Sequence, residues 1–69
     1  MIEDVSAKRL YELREKNGLS TRAAAERIGT SSSVWNRWEN GKNRMTSFFI
    51  IQICKEFGVS ADWLLGLTD

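Results

Sequence analysis

The sequence contains no proline, no histidine and a single cysteine. Without proline, the chain must turn on glycine and short polar residues. Without histidine, and with one cysteine, it lacks most zinc sites, Cys–His nucleophile pairs and imidazole acid–base chemistry. Cys54 cannot form an internal disulfide. It lies in an apolar stretch, which predicts a buried thiol in a reducing compartment. No hydrophobic run approaches the length needed to span a bilayer, and there is no signal-peptide pattern. No glycine-rich phosphate loop occurs, and runs of β-branched residues are scarce. These absences argue against an enzyme, and no cofactor, metal, small-molecule ligand or membrane partner is expected.

What remains is a helical pattern. The length of 69 residues allows one domain, residues 1–69, near the lower limit of independent stability. The chain begins with Met and ends soon after a last apolar turn, which fits a complete protein. The net charge of +1 hides a division. Residues 21–45 carry Arg22, Arg27, Arg37, Lys42 and Arg44 against Glu26 and Glu39, whereas the remainder after them is acidic. Basic charge thus gathers in the middle third, where phosphate contacts would be needed.

Glycines at 18, 29, 41, 58 and 66 punctuate segments of helical length. A first helix is expected from about Asp4 or Ser6 to Asn17, with Gly18 closing it. Its inner face is Ala7, Leu10, Leu13 and Arg14. A second follows Ser20 and runs through Ile28, with Ala24, Ala25 and Ile28 inward and Gly29 making a left-handed turn. A third follows Ser31 and runs to about Glu39. A fourth is capped by Thr46 and runs to Phe57, with Ile50, Ile53, Cys54 and Phe57 as its apolar stripe, centred on Ile50. Ser60 caps a short fifth helix, Ala61 to Leu65. The prediction is all-α, a compact five-helix bundle.

The second and third helices form a helix-turn-helix unit over about 21–40. Small residues at 24 and 25 let two helices cross closely, and Trp35 and Trp38 anchor the third inward. Ser33, Asn36, Arg37 and Asn40 then fall together on its outer face. That face is polar, rich in donors and free of acids, the kind a DNA major groove accepts. Each residue also has a plainer reading. Ser31 is best explained as a cap, Arg37 could be a solvated arginine, and Lys42 and Arg44 could be ordinary loop charges. Trp35, Trp38 and Trp63 are expected in the core.

Gly18-Leu19-Ser20, Ala25, Gly29, Trp38-Glu39-Asn40-Gly41-Lys42, Phe57-Gly58-Val59-Ser60 and Trp63-Leu64-Leu65-Gly66 together resemble the Cro/CI (XRE-like) helix-turn-helix family, of lambda-repressor-like fold, over about residues 9–66. The resemblance implies a bacterial, cytoplasmic, nucleoid-associated transcription regulator of phage or plasmid type, a repressor binding a palindromic double-stranded operator as a homodimer. Antitoxins, restriction-modification controllers and protein-interaction modules without DNA binding are alternatives on the same fold. By position it implies base contacts from Ser32, Ser33, Asn36 and Arg37. Phosphate contacts are implied from Thr21, Asn40, Lys42, Asn43 and Arg44. Four positions depart from the family pattern, and the proline that is frequent near Met45 is missing. Thr21 stands where Gln is common, and Ala23 cannot complete a capping box. Ala24 and Trp35 replace a larger and a smaller residue, so Trp35 is expected to fill the volume left at Ala24.

Two further expectations join helix geometry to the resemblance. Arg14 and Glu39 lie on the apolar faces of neighbouring helices and should form an inward ion pair. Phe48 falls about 160° from Ile50 around its helix, leaving more apolar surface than one core needs. Relatives dimerise near this region, which here is Met45 to Phe49 and Val59 to Ala61. The expected interface is therefore Met45, Phe48, Phe49, Val59 and Ala61. The alternative is that Phe48 folds back onto Met45 or Trp38 within the monomer.

Overall fold

A computed structural model describes residues 5–69. The described chain is helical, in the order α1 Val5–Lys16, α2 Thr21–Arg27, α3 Ser32–Glu39, α4 Ser47–Phe57 and α5 Ala61–Leu64. Asp4, one of the two expected starts of α1, lies outside the described residues. The other boundaries fall within a residue or so of the sequence pattern, the range over which helix ends fray.

The starts of the helices follow from local chemistry. Ser20, Ser31 and Ser60 each precede a helix in extended conformation, and each hydroxyl accepts from a backbone N–H three residues on: Ala23, Val34 and Trp63, at 3.1, 3.2 and 3.1 Å. Each such cap stabilises its helix by about 1 kcal/mol. Thr46 differs from expectation. It occupies the N-cap position of α4, but its side chain makes no capping bond. The apolar face of α4, rather than a cap, holds that helix in place.

The ends share one closure. In α2, Thr30 N donates back to Ala25 O at 3.0 Å and Gly29 N to Glu26 O at 3.3 Å, the paired bonds of a Schellman motif. Gly29 makes this possible with a φ of 77°. A Cβ there would meet nothing within 4 Å, so the demand for glycine is purely one of backbone dihedral. The same paired bonds close α1, α3 and α5.

The core gathers Leu10 and Leu13 from α1, Ala24 and Ala25 from α2 together with its C-cap Ile28, Trp35 and Trp38 from α3, Ile53 from α4 and Leu64 from α5. Ala24 and Trp35 are both fully buried in this one cluster. A buried tryptophan removes about 150–250 Å² of surface from water, so Trp35 is the largest single anchor of α3. Its ring meets Trp38 at 5.9 Å between centroids and the edge of Phe57 at 6.4 Å, while Trp38 meets Phe49 at 5.3 Å. These rings tie α3 to α4.

Three packing expectations are corrected. The stripe of α4 is centred on Ile53, which is fully buried, while Ile50 is only half-buried. Helix α4 is rolled so that Ile53 sits deepest, while Phe49 and Ile50 of its first turn pack against the edge of the core. Cys54 is half-buried on the flank of that face, where desolvation still pushes its thiol pKa up. Trp63 is half-buried as well, with the Arg9 guanidinium 5.3 Å from its ring centre.

Candidate nucleic-acid interface

The candidate surface is built by α3 and the turn that leaves it. Trp35 and Trp38 point into the core, and the 100° step per residue forces Ser33, Asn36, Arg37 and Asn40 outward. All four are exposed, as is Ser32 in the first turn. The closure of α3 brings the following loop back: Lys42 N donates to Arg37 O at 2.9 Å and Gly41 N to Trp38 O at 3.2 Å. Lys42 thereby joins Ser33, Asn36, Arg37 and Asn40 around one shallow depression of about 230 Å³. Asn43 and Arg44 continue the exposed loop. Thr21, at the start of α2, is half-buried and does not line this depression.

Charge sorts the same way. From Ile28 to Lys55 the cations are Arg37, Lys42, Arg44 and Lys55, and the only acid is Glu39. Glu39 is turned inward. Arg14 donates to it through Nε at 2.7 Å and Nη2 at 3.1 Å, and Trp35 Nε1 donates to the same carboxylate. Arg14 Nη1 also reaches Leu19 O at 3.0 Å, and the guanidinium lies 5.3 Å from the centre of the Tyr11 ring. The hydrogen bond to Glu39 holds the Arg14 pKa above its ordinary value, against the opposing effect of desolvation. The two side chains are 14% and 8% exposed, so this is a largely desolvated pair. It locks α3 to α1 and removes the one negative charge of the segment from its surface.

The other arginines divide into two sets. Arg9 donates to the carbonyls of Trp63 and Thr68, Arg22 faces Glu26 at 3.6 Å, and Arg27 faces Glu56 at 4.0 Å. Arg37 and Arg44 have no ion pair among the described residues. An exposed cation with no acid beside it is available to a phosphate or a base edge.

Comparison with known proteins agrees with this geometry. The sequence model of a family described as "Helix-turn-helix domain" matches residues 7–69. The fold superposes on the P22 c2 repressor, solved in complex with synthetic operator 9T in the presence of Tl+, with a TM-score of 0.84. That alignment has 21% identity and covers 91% of this chain and 96% of that one. The chain belongs to the helix-turn-helix domain family.

The curated relatives that it matches carry the names of regulators. The chain also superposes on the restriction-modification controller protein C.AhdI from Aeromonas hydrophila, with a TM-score of 0.81 and 24% identity over 88% of this chain and 92% of that one. In sequence it is 31% identical over 61 residues to an uncharacterized HTH-type transcriptional regulator, YobD of Bacillus subtilis. It is 37% identical over 51 residues to a propionyl-CoA carboxylase regulator of Cereibacter sphaeroides. These alignments cover 88% and 74% of this chain, but only 54% and 11% of the two relatives. The chain thus matches about half of one curated relative and a small part of the other. Among the described residues, no helix is long and apolar enough to cross a membrane.

Two expected site residues behave differently in place. Asn40 directs its Nδ2 back to Asn36 O at 2.9 Å and Asn36 Oδ1 at 3.3 Å. Its remaining Oδ1 is an acceptor that no phosphate oxygen can use. Lys42, Asn43 and Arg44 supply further exposed donors beyond α3. Phe49 packs on Trp38 and is half-buried, which leaves little of it for a partner. Among the described residues, Phe48 makes no ring contact with Trp38. It sets its edge against Phe49 at 5.1 Å and stays 59% exposed. Ala61 is exposed beside it in the expected set, while Met45 and Val59 are half-buried against the core.

Sequence reasoning missed the Arg9 clamp. Its partners are backbone carbonyls more than fifty residues away, which no side-chain pattern signals. The Asn36–Asn40 pair was legible in principle, since residues four apart share a helix face.

Proposed function

We propose that this chain is a sequence-specific DNA-binding regulator, acting as a repressor, which lays α3 in the major groove and works as a homodimer on a palindromic operator. One observation carries the reading: on the outer face of α3 and its following turn, Arg37, Lys42 and Arg44 have no ion pair among the described residues, while Glu39, the one acid between Ile28 and Lys55, is held inward by Arg14. Arg37 is the main base reader. Its guanidinium can bond guanine O6 and N7 together, a contact worth roughly 1–3 kcal/mol of discrimination. Ser32, Ser33 and Asn36 supply shorter base contacts. Lys42, Asn43, Arg44 and, at the start of α2, Thr21 position the domain on phosphates.

The exposed pair Phe48 and Ile51, one turn apart on α4, supports dimerisation through this end of the fold, with Met45, Val59 and Ala61 around it. A two-fold pair there would place two copies of α3 about 34 Å apart, facing successive major grooves. Selection of bound duplexes from a random pool tests both halves of the reading. A two-fold symmetric site is expected, and Arg37→Ala should flatten preference at one position of each half-site. Uniform weakening across all positions would instead reduce Arg37 to a phosphate contact.

A further inference from the structure

Asn36 and Asn40 form a small device on the reading face. The backbone N–H of Asn40 donates to Asn36 O at 3.0 Å, and its Nδ2 reaches the same oxygen at 2.9 Å. A carbonyl oxygen only accepts, so the NH₂ end of the Asn40 amide is the end fixed there. That nitrogen also meets the Asn36 side chain at 3.3 Å, and the Asn36 atom facing a donor must be its acceptor, Oδ1. The amide of Asn36 is thereby given a direction. Its Oδ1 is turned along the helix toward Asn40, which leaves Nδ2 as the end of the amide free of that contact, and Asn36 lines the same depression as Ser33, Arg37, Asn40 and Lys42.

The geometry points to Asn40 as a specificity-determining positioning residue that makes Asn36 a donor-only reader of base edges. The inference rests on the proposal that this face binds DNA. An unconstrained asparagine reads adenine best, because Oδ1 accepts from N6 while Nδ2 donates to N7. With Oδ1 held by Asn40, only the second bond remains. A donor alone suits guanine, whose N7 and O6 are adjacent acceptors, and it rejects the N4 amino group of cytosine. Asn36 therefore selects guanine over adenine at its position, against the ordinary preference of its residue type.

The test is duplex selection from a random pool with the unaltered chain and three variants, each first checked for folding by circular dichroism. Asn36→Ala identifies the position that Asn36 reads. Asn40→Ala frees the Asn36 amide and should raise the adenine-to-guanine ratio at that position by about fivefold or more, the low end of what a bidentate amide–adenine contact discriminates. Asn40→Asp presents an acceptor that both Asn36 oxygens repel and that attracts only Nδ2. It should shift the ratio the same way, even though its added charge weakens binding overall. A DNA-free measurement runs beside it: the side-chain amide resonances of Asn36 should move in Asn40→Ala. If the unaltered chain enriches a defined site and the Asn40 variants keep its guanine-to-adenine ratio, or if the Asn36 amide resonances stay in place, the positioning role is overturned while the DNA-binding reading stands. If the unaltered chain enriches no site, both fall together.

Discussion

Replacing Arg14 with methionine removes a charge from the most heavily constrained contact between α1 and α3. Methionine keeps much of the aliphatic stem, so the loss is mainly the guanidinium and its bonds to Glu39 and Leu19. The Glu39 carboxylate, 8% exposed in the intact pair, then keeps the Trp35 indole N–H as its one side-chain donor among the described residues. Breaking a buried pair from one side costs about 3–5 kcal/mol. The residual exposure of both partners admits some solvent screening and places this case near about 3 kcal/mol. At about 0.1 kcal/mol per residue, a domain of 69 residues has roughly 7 kcal/mol of stability, so nearly half is lost. Thermal unfolding followed by circular dichroism should show a fall in Tm of roughly 12–24 °C. Adding Glu39→Gln removes the orphaned charge yet keeps an acceptor for Trp35, so the double variant should melt above Arg14→Met alone. A Tm within about 3 °C of the unaltered protein, or no recovery in the double variant, would refute a desolvated, coupled pair. The pH dependence has a definite sign. The folded-state pKa of Arg14 is raised, so its contribution is fully present below the ordinary arginine value and is lost only as pH rises through the folded one.

Other parts of the surface and fold yield sharper single tests. Lys42→Ala should leave the selected DNA sequence unchanged but make the slope of log K against log salt shallower by about 2 for a dimer, one released counterion per protomer; an unchanged slope removes Lys42 from the phosphate contacts. Gly66→Ala should destabilise the fold by about 1–2 kcal/mol from its left-handed backbone alone, with a further loss because a Cβ at φ 81° would sit 2.8 Å from Val5 Cγ1. Gly18→Ala, where nothing lies within 4 Å, isolates the backbone cost, and equal melting temperatures for the two variants would show that Val5 simply moves aside. Phe48→Ser should stay folded, since that ring is mostly in solvent, and should lower cooperativity on a two-fold site in sedimentation and binding titrations. Undiminished cooperativity takes Phe48 out of the interface.

The sequence by itself determined the elements and most of their orientation. Serines at 20, 31 and 60 start helices wherever they fold, because each cap satisfies a neighbouring backbone donor. The glycines end helices because a left-handed residue is required there, and every positive φ among the described residues belongs to a glycine. Trp35 and Trp38 then decide which way α3 faces, and the step of 100° per residue delivers Ser33, Asn36 and Arg37 to the opposite side. Arg14 and Glu39 could be paired from the sequence because each is a charge on an otherwise apolar face.

Tertiary structure alone decided how the elements roll and what their side chains do afterwards. Whether Ile50 or Ile53 sits at the centre of α4 depends on where Trp35, Phe49 and Phe57 leave room, and periodicity permits either. Arg9 joins the two ends of the chain by binding the backbone carbonyls of Trp63 and Thr68, a target that every residue offers and that no pattern marks. The Asn40 side-chain amide turns back along α3 to Asn36, a partner that its exposed place at the helix end does not dictate. Local chemistry states which groups need partners; only the packed chain determines which partner each one reaches.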